Sequence, residues 1–129
     1  MQIDTHERIN RTFCGDPIET GEGYSRVGFH ATEQMAVDDM GLTHGGFIFG
    51  LADHAAMIAV NHPHVVLGAA EVKFLKPVQT GDSIEAEARV VSAAGRKRVV
   101  DVQVKRNNET LFSGVFTCFI LEKHVLNVD

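Results

Sequence analysis

One carboxylate in the middle of an apolar segment is the group in this sequence best suited to chemistry. From Thr43 to Asn61 the residues are almost all apolar, and Asp53 stands near the centre. At about 100° per residue this segment predicts a single long helix with one stripe packed on the core. That stripe consists of Ile48, Leu51, Ala52, Ala55, Ile58 and Ala59. Asp53 points away from it.

The helical neighbours of Asp53 on the opposite side are apolar as well. They lie three, four and seven positions away and are Phe49, Gly50, Ala56, Met57 and Val60. A helix that is apolar on all sides is normally covered on all sides. A carboxylate there is costly to desolvate and tends to have a raised pKa, which is typical of a catalytic acid or base. The alternative is a solvated or capping aspartate, and the apolar neighbours favour the catalytic interpretation.

Two glycines, Gly45 and Gly46, come where this helix is expected to begin. Free backbone N–H groups and the positive end of the helix dipole point outward together at such a position. This arrangement can hold a developing oxyanion. The alternative is that the glycines only permit tight packing of the turn.

The spacing of the two features predicts a second subunit. From Gly45 to Asp53 is eight residues, or about 12 Å along an α-helix. A reacting carbonyl must lie roughly 3 Å from both the oxyanion donor and the catalytic group or its water. Gly45 of one subunit must therefore face Asp53 of another, as in two helices lying antiparallel across a twofold axis. We expect an obligate homodimer with two interface sites, in which dimerisation also buries the second apolar face.

Size and composition limit the classes of function. At 129 residues with 44% hydrophobic residues, we expect one domain spanning 1–129, with a core at 15–121, a helical extension at 1–14 and a tail at 122–129. A net charge of −5 argues against nucleic-acid or membrane-surface partners. No signal peptide or membrane span is visible, which favours the cytoplasm. Cys118 lies in an apolar strand pattern, and we expect no catalytic role for it.

The seven histidines raise the question of a metal site. His62 and His64 follow the helix and His54 adjoins Asp53, but their spacing matches no established zinc signature. His54 also projects about 100° away from Asp53 around the helix. We therefore expect no metal.

After the helix the pattern changes to strands separated by turn signals. The predicted strands are Tyr24 to Met35, Val65 to Leu75, Ser83 to Val91, Arg96 to Lys105 and Leu111 to Leu121. Two of them alternate between an apolar and a polar face and therefore cover the core on one side only. The last is apolar on both faces, as in a central strand or one that meets another subunit. The fold class is α+β, a bent antiparallel sheet wrapped around one long helix.

With these residues placed, the chain resembles the hotdog-fold acyl-CoA thioesterases, specifically the branch with the bacterial phenylacetyl-CoA-type enzymes. The resemblance covers about residues 20 to 121. It is carried by His44-Gly45-Gly46, Leu51-Ala52-Asp53, Asn61, the strand Val72 to Pro77, and Gly81-Asp82.

The resemblance implies hydrolysis of an acyl-CoA thioester. Asp53 would be the general base for a water, or the nucleophile that forms a mixed anhydride. The Gly45 N–H of the facing subunit would polarise the thioester carbonyl, with His44 shaping the turn and Gly46 beside it in the substrate site. It also implies dimers that pair into a homotetramer, and no cofactor, since coenzyme A is part of the substrate.

The chain departs from the family at two positions. Six residues before His44 the family often has an asparagine that helps bind the thioester, whereas here Asp38 stands there and cannot donate unless protonated. The departure leaves three alternatives: Asp38 is displaced by its loop, or the carbonyl is held mainly by Gly45, or the activity is low. The second departure is the water-orienting polar residue. Glu71 is a candidate for that role, the alternative being a solvated strand residue.

An acidic protein that binds coenzyme A phosphates needs a local basic region. Gly95 followed by Arg96, Lys97 and Arg98 is the densest candidate. The alternative is that a hairpin tip is charged for solubility.

Two other functions and the acyl pocket stay open at this point. Non-catalytic acyl-CoA sensors of this fold look similar through Leu75-Lys76-Pro77. These sensors lack the helix carboxylate, so Asp53 favours the enzyme. They also usually carry a DNA-binding segment, for which we expect the N-terminus here to be too short. Hydration or dehydration of enoyl or 3-hydroxyacyl thioesters needs an aspartate–histidine motif that the sequence does not show. Residues that line an acyl pocket or simply belong to the core are Phe47, Phe49, Met57, Phe74 and Phe116.

Overall fold

The computed structural model describes residues 1–128, so Asp129 at the end of the expected tail lies outside it. The elements in chain order are α1 (Arg11–Cys14), β1 (Asp16–Gly21), β2 (Tyr24–His30), a 3-10 turn (Glu33–Met35), α2 (Gly45–Val60), β3 (Val65–Phe74), β4 (Ser83–Ala94), β5 (Lys97–Arg106) and β6 (Glu109–Ile120).

The six strands form one antiparallel sheet in the order β1-β2-β4-β5-β6-β3. The long helix α2 packs on one face of this sheet, mainly against β2, β4 and β5. A buried hydrogen bond from the Ser25 hydroxyl to the Ala55 carbonyl, 2.6 Å long, ties β2 to the helix. The predicted α+β hotdog arrangement is confirmed.

Alternation in β4 and β5 explains why the sheet covers the core on one side. Ile84, Ala86 and Ala88 of β4 are buried against α2. Their register partners in β5, among them Val102 and Val104, are buried with them, while the residues between face outward. The predicted core stripe of α2 is also buried along its whole length.

The helix ends where its sequence predicts. Asn61 adopts the left-handed conformation, with φ of 52°, and its N–H donates to the Met57 carbonyl at 2.8 Å. This satisfies one of the carbonyls that every helix C-terminus leaves unpaired.

The N-terminal part of the chain differs from expectation. Helix within 1–14 is confined to Arg11–Cys14. The predicted strand from Tyr24 to Met35 ends at His30, because the chain makes a 3-10 turn at Glu33–Met35. Strand β1, which sequence reasoning missed, has no buried residue and contains Pro17. It is an edge strand, where the missing proline N–H is tolerated and hydrophobic alternation is weak.

Strand β6 is an internal strand between β5 and β3, one of the two predicted possibilities. Phe112, Phe116 and Cys118 are fully buried, whereas Val115 on the other face is 43% exposed. Within residues 1–128 the structure has no helix both long and apolar enough to cross a lipid bilayer.

Candidate active site

Helix α2 begins with an unusual cap. His44 is the N-cap residue in an extended conformation, and its Nδ1 accepts a hydrogen bond from the Gly46 N–H at 2.8 Å. A Cβ at Gly46 would lie 2.8 Å from the same Nδ1, so a larger residue would displace the imidazole. The expectation that both glycine N–H groups face outward is therefore wrong for Gly46, whose N–H serves the cap.

Gly45 is the glycine that keeps a free donor. Its N–H has no hydrogen-bond partner among residues 1–128, as expected for the first position of a helix. The Phe74 ring lies against it, because a Cβ at Gly45 would be 3.1 Å from Phe74 Cε1. That ring packs edge-on against Phe112, with ring centroids 5.1 Å apart. The free donor therefore sits beside an aromatic wall.

Asp53 lies in the middle of α2 and is half-buried. Its Oδ1 is buried and has no hydrogen-bond partner within residues 1–128. Desolvation raises the pKa of this carboxyl group to about 6. A carboxyl group with this pKa changes its protonation state close to neutral pH, as a catalytic base must.

The apolar surroundings of Asp53 are covered only in part by the chain itself. Ala56 and Met57 are already buried by the same chain. We expected a partner subunit to bury the whole second face of the helix. That expectation is wrong for Ala56 and Met57. At Gly50, by contrast, a Cβ would meet no atom within 4 Å. Open space on α2 thus lies directly beside Asp53.

The ionisable groups near the helix centre are held in their neutral forms. Burial raises the pKa of the Cys118 thiol to about 12, and the charge of Asp53 adds to this effect. Burial and Asp53 also raise the pKa of the Cys14 thiol. His54 is buried, donates from Nδ1 to the Cys14 carbonyl at 3.0 Å, and has its pKa lowered mainly by desolvation. With protonated thiols and a neutral imidazole around it, Asp53 is the group of this set whose ionisation changes near pH 6.

Asp38 and Glu71 lie outside this arrangement. The Asp38 carboxylate accepts hydrogen bonds from the N–H groups of Met40 and Leu42, at 3.0 and 3.1 Å, and is exposed. It is an acceptor that shapes its own loop. Glu71 is exposed on β3, opposite Val115 of β6.

The basic hairpin joins β4 and β5 through Gly95, whose φ of 59° is readily adopted by glycine. Arg96 forms an ion pair with Glu122, and Arg98 donates to the carbonyls of Gly95 and Lys97 at 2.8 and 3.0 Å. Lys97 is exposed.

The sheet register shows which half of the helix this hairpin is closer to. Arg98 pairs in register with Cys118, whose pKa responds to the Asp53 charge. Phe74, beside Gly45, pairs instead with Phe112 near the other end of β6. The hairpin therefore lies closer to the half of helix α2 that contains Asp53 than to the helix start at Gly45.

One residue of interest was missed by the sequence analysis. Thr43 precedes the cap and lines a cleft of about 260 Å³ beside Gly45, and its buried hydroxyl has no hydrogen-bond partner in residues 1–128. The position of Thr43 could have drawn attention to it, because the residue before an N-cap is often hydrophobic and threonine is polar.

A larger cleft of about 720 Å³ lies elsewhere, between α1 and the β2–β4 surface. It contains none of the predicted site residues. Within the described chain, 1–128, no three His, Cys, Asp or Glu side chains are grouped so that they could hold a metal ion.

Two curated relatives place the chain among known sequences. It is 48% identical over 123 residues to methylthioribose-1-phosphate isomerase of Aquifex aeolicus, covering 95% of this chain and 27% of that protein. It is 31% identical over 98 residues to the transcription factor FapR of Caldanaerobacter subterraneus, covering 76% of this chain and 49% of that protein. The chain thus spans about a quarter to a half of the length of these relatives.

Solved structures and a family model identify the fold and the family. The uncharacterized protein PH1136 from Pyrococcus horikoshii is 49% identical, with a TM-score of 0.97 and 98% of each chain covered. The E. coli PaaI protein from the phenylacetic acid degradation operon is 29% identical, with a TM-score of 0.75 and 81% of each chain covered. The family model of the thioesterase superfamily matches residues 40–113. This match spans more than half of the residues of the chain. The chain therefore belongs to the thioesterase superfamily and has the hotdog fold.

Proposed function

We propose that this chain hydrolyses an acyl-CoA thioester to a free carboxylic acid and coenzyme A. The observation that carries the proposal is the Asp53 carboxyl group, with a buried, unpaired Oδ1 and a pKa raised to about 6. The proposed chemistry is that of the thioesterase superfamily, whose family model matches the residues of helix α2. Similarity to the E. coli PaaI protein supports the same reaction class.

In the general-base form of this mechanism, Asp53 takes a proton from a water molecule as the water oxygen attacks the thioester carbonyl. The carbon–sulfur bond then breaks, and the thiolate of coenzyme A leaves and is protonated. In the nucleophilic form, Asp53 attacks the carbonyl carbon, the carbon–sulfur bond breaks, and the thiolate of coenzyme A leaves and is protonated. Water then hydrolyses the mixed anhydride, which releases the carboxylic acid and regenerates the Asp53 carboxylate. Neither form requires a cofactor, since coenzyme A is part of the substrate.

The Gly45 N–H of the facing subunit is the proposed oxyanion donor. It has no hydrogen-bond partner among residues 1–128 and lies at the positive end of α2. His44 holds this helix end through the Gly46 N–H. An oxyanion donor contributes about 10² to 10³ in rate and a general base about 10² to 10⁴.

A homodimer is needed because Gly45 and Asp53 are eight residues apart on one helix. This corresponds to about 12 Å, too far for both groups to act on one carbonyl. The open space at Gly50 would accept a close approach by a partner helix. The sheet edge at β3 is a further surface that a second copy would cover, with pairing of dimers into a tetramer as the larger assembly.

The exposed Lys97 in the basic hairpin is the proposed contact for coenzyme A phosphates. Arg96 and Arg98 already have partners in the chain and would position the hairpin or exchange those partners for phosphate.

The test is release of free thiol from aryl-acetyl, short-chain and long-chain acyl-CoAs by wild type and Asp53→Asn. We expect turnover of one acyl class and a loss of at least a hundredfold in Asp53→Asn, since the amide cannot act as a base. Asp101→Asn, an exposed carboxylate on β5, is the matched control and should leave the rate unchanged. Equal rates for wild type and Asp53→Asn would contradict the proposal.

A non-catalytic acyl-CoA sensor is the second candidate. Two observations favour it: the similarity to the transcription factor FapR and the engagement of Asp38 as an acceptor in its own loop. The same assay separates the two functions. Binding of an acyl-CoA by wild type without release of thiol would replace the enzyme with the sensor.

A further inference from the structure

The cleft beside Gly45 is lined by apolar side chains and by one charged side chain. Its volume is about 260 Å³, and its apolar walls include Ile48 and Phe74. Within the described chain, 1–128, Lys76 is the charged residue of this wall. Small-molecule sites commonly measure about 300 to 1,000 Å³, so the cleft suits a short group.

The Lys76 ammonium group is half-exposed and has donors to spare. Its side chain is 53% exposed, and Nζ donates one hydrogen bond, 2.8 Å long, to the Glu109 carboxylate. An ammonium group carries three donors, and among residues 1–128 no second acceptor contacts this one. Lys76 can therefore bind a ligand without giving up its ion pair.

Lys76 is the end member of a short chain of charges. Its partner Glu109 also accepts a hydrogen bond from Arg106, and Arg106 pairs in turn with Asp82 at 2.6 Å. Lys76 thus shares its carboxylate with a second cation. None of the other three groups lines the cleft, so the member of this chain that faces a ligand there is the cation.

The backbone at the start of α2 adds to the positive character of the cleft. The Gly45 N–H has no hydrogen-bond partner among residues 1–128 and lies at the positive end of the helix. Asp38 accepts from the N–H of Leu42, a wall residue, but is engaged in its own loop and does not line the cleft. In a chain with a net charge of −5, a cleft with a cation and no acidic side chain in its described wall favours a ligand that carries negative charge.

We infer that this cleft binds the acyl part of a thioester whose far end carries a carboxylate, and that the Lys76 ammonium group recognises that carboxylate. The inference rests on the proposed thioesterase function and adds the substrate class, short ω-carboxyacyl thioesters of coenzyme A. With the thioester carbonyl at the Gly45 N–H, a chain of a few carbons along the apolar wall brings its far end to Lys76. Lys76 is then a specificity-determining residue.

The phosphates of coenzyme A are the other source of negative charge in such a substrate. The pantetheine arm separates them from the thioester by much more than the few carbons that this cleft admits. The proposed function assigns them to Lys97, on the hairpin that lies closer to the Asp53 half of α2 than to Gly45. A carboxylate on the acyl group is therefore the anion that suits Lys76.

The experiment compares substrates of equal carbon number that end in a carboxylate or in a methyl group. Succinyl-CoA is paired with butyryl-CoA and glutaryl-CoA with valeryl-CoA, each corrected for hydrolysis without protein. Thiol release gives kcat/KM for wild type, Lys76→Met and Lys76→Arg, since methionine removes the charge and arginine keeps it. Lys73→Met is the matched control, because Lys73 is an exposed lysine on β3 that does not line the cleft.

A second readout does not need turnover. The affinity of the same four thioesters is measured by calorimetry with each variant in an Asp53→Asn background. This readout separates recognition of the acyl group from hydrolysis.

We expect wild type to prefer the carboxylate-ended member of at least one pair. Lys76→Met should reduce that preference by at least about tenfold and leave the methyl-ended substrate nearly unchanged, because a charge-assisted hydrogen bond is lost. Lys76→Arg should retain part of the preference. Lys73→Met should retain all of it, since it removes the same charge from outside the cleft.

Four outcomes would overturn the inference. Equal loss on both members of a pair would assign Lys76 to coenzyme A, and equal effects of Lys76→Met and Lys73→Met would reduce the effect to net charge. A preference that survives in Lys76→Met, or one that wild type lacks in both readouts, would leave Lys76 without a role in recognition. Absence of thiol release from every substrate would contradict the proposed function, whereas a calorimetric preference that is lost in Lys76→Met would still support the subsite.

Discussion

Among residues 1–128, the first turn of α2 and the middle of the same helix both carry a polar group without a hydrogen-bond partner, but for different reasons. The Gly45 N–H is unpaired because the first N–H groups of any helix lack an acceptor within it. Asp53 Oδ1 is unpaired because a carboxylate occupies an apolar position. One group belongs to the backbone and the other to a side chain. Different substitutions are therefore needed to test them.

The two regions also differ in burial and charge. Gly45 combines a donor with the positive end of a helix dipole beside a cleft. Asp53 is a partly desolvated acceptor whose pKa is raised to about 6. In the proposed mechanism each is half of a site for acyl transfer, and the helix that positions both also keeps them apart.

Removing the donor at Gly45 should have a large effect, within the range expected for removal of the Asp53 carboxylate. Gly45→Pro deletes the N–H at the first helical position, where proline is well tolerated, and His44 already has the extended conformation that precedes proline. We expect kcat to fall by about 10² to 10³ in the thiol-release assay.

Gly45→Ala is the control for the added bulk, because alanine keeps the N–H and places its Cβ against the same Phe74 ring, 3.1 Å from Cε1. Alanine should cost much less than proline. Equal losses in the two variants would mean that crowding by the side chain, and not the missing donor, explains the effect.

Mixing two inactive variants would sharpen the comparison between the two regions. In a heterodimer of Asp53→Asn and Gly45→Pro chains, one site contains both substitutions and the other contains neither. Random re-association should therefore restore about a quarter of the wild-type rate. The measurement is thiol release after the mixed chains are unfolded and refolded together. If the thiol-release rate does not recover, either both groups act in a site formed within one chain, or the chains do not form the proposed dimer.

The pH dependence should follow the Asp53 carboxyl group. Its ionised form is required for either catalytic role, so kcat/KM should fall about tenfold per pH unit below about 6 and level off above it. Thiol release from pH 4.5 to 8 measures this profile. A profile that stays flat down to pH 4.5 would show that the reactive carboxyl group has an ordinary pKa and is not the desolvated Asp53.

Stability should change in the opposite direction to activity, with the smallest effect. The folded pKa of Asp53 is raised, so the stability associated with its neutral form is present below the unfolded pKa and is lost as pH rises through about 6. Asp53→Asn should therefore stabilise the protein by up to about 3 kcal/mol at pH 8 and by almost nothing at pH 3. Melting curves at both pH values test this, and equal shifts would exclude desolvation of the charge as the cause.

Elements with a strong local pattern were predictable from the sequence. Helix α2 has its bounds and its Asn61 cap where periodicity placed them, since 3.6-residue spacing and a turn at the end are local properties. Strands β4 and β5 were predicted for the same reason. Strand β1 was not, because an exposed edge strand needs no hydrophobic alternation and is recognised only by its pairing with β2.

The sequence alone determined the helix, the buried carboxylate in its centre and the distance that separates it from the helix start. These depend on residue type and spacing along a regular helix. Within residues 1–128, only the tertiary structure decided which N–H at the helix start is free and that Asp38 is engaged in its loop. Hydrogen-bond partners and cleft walls depend on which segments meet in space, and residue spacing along the chain does not specify those meetings.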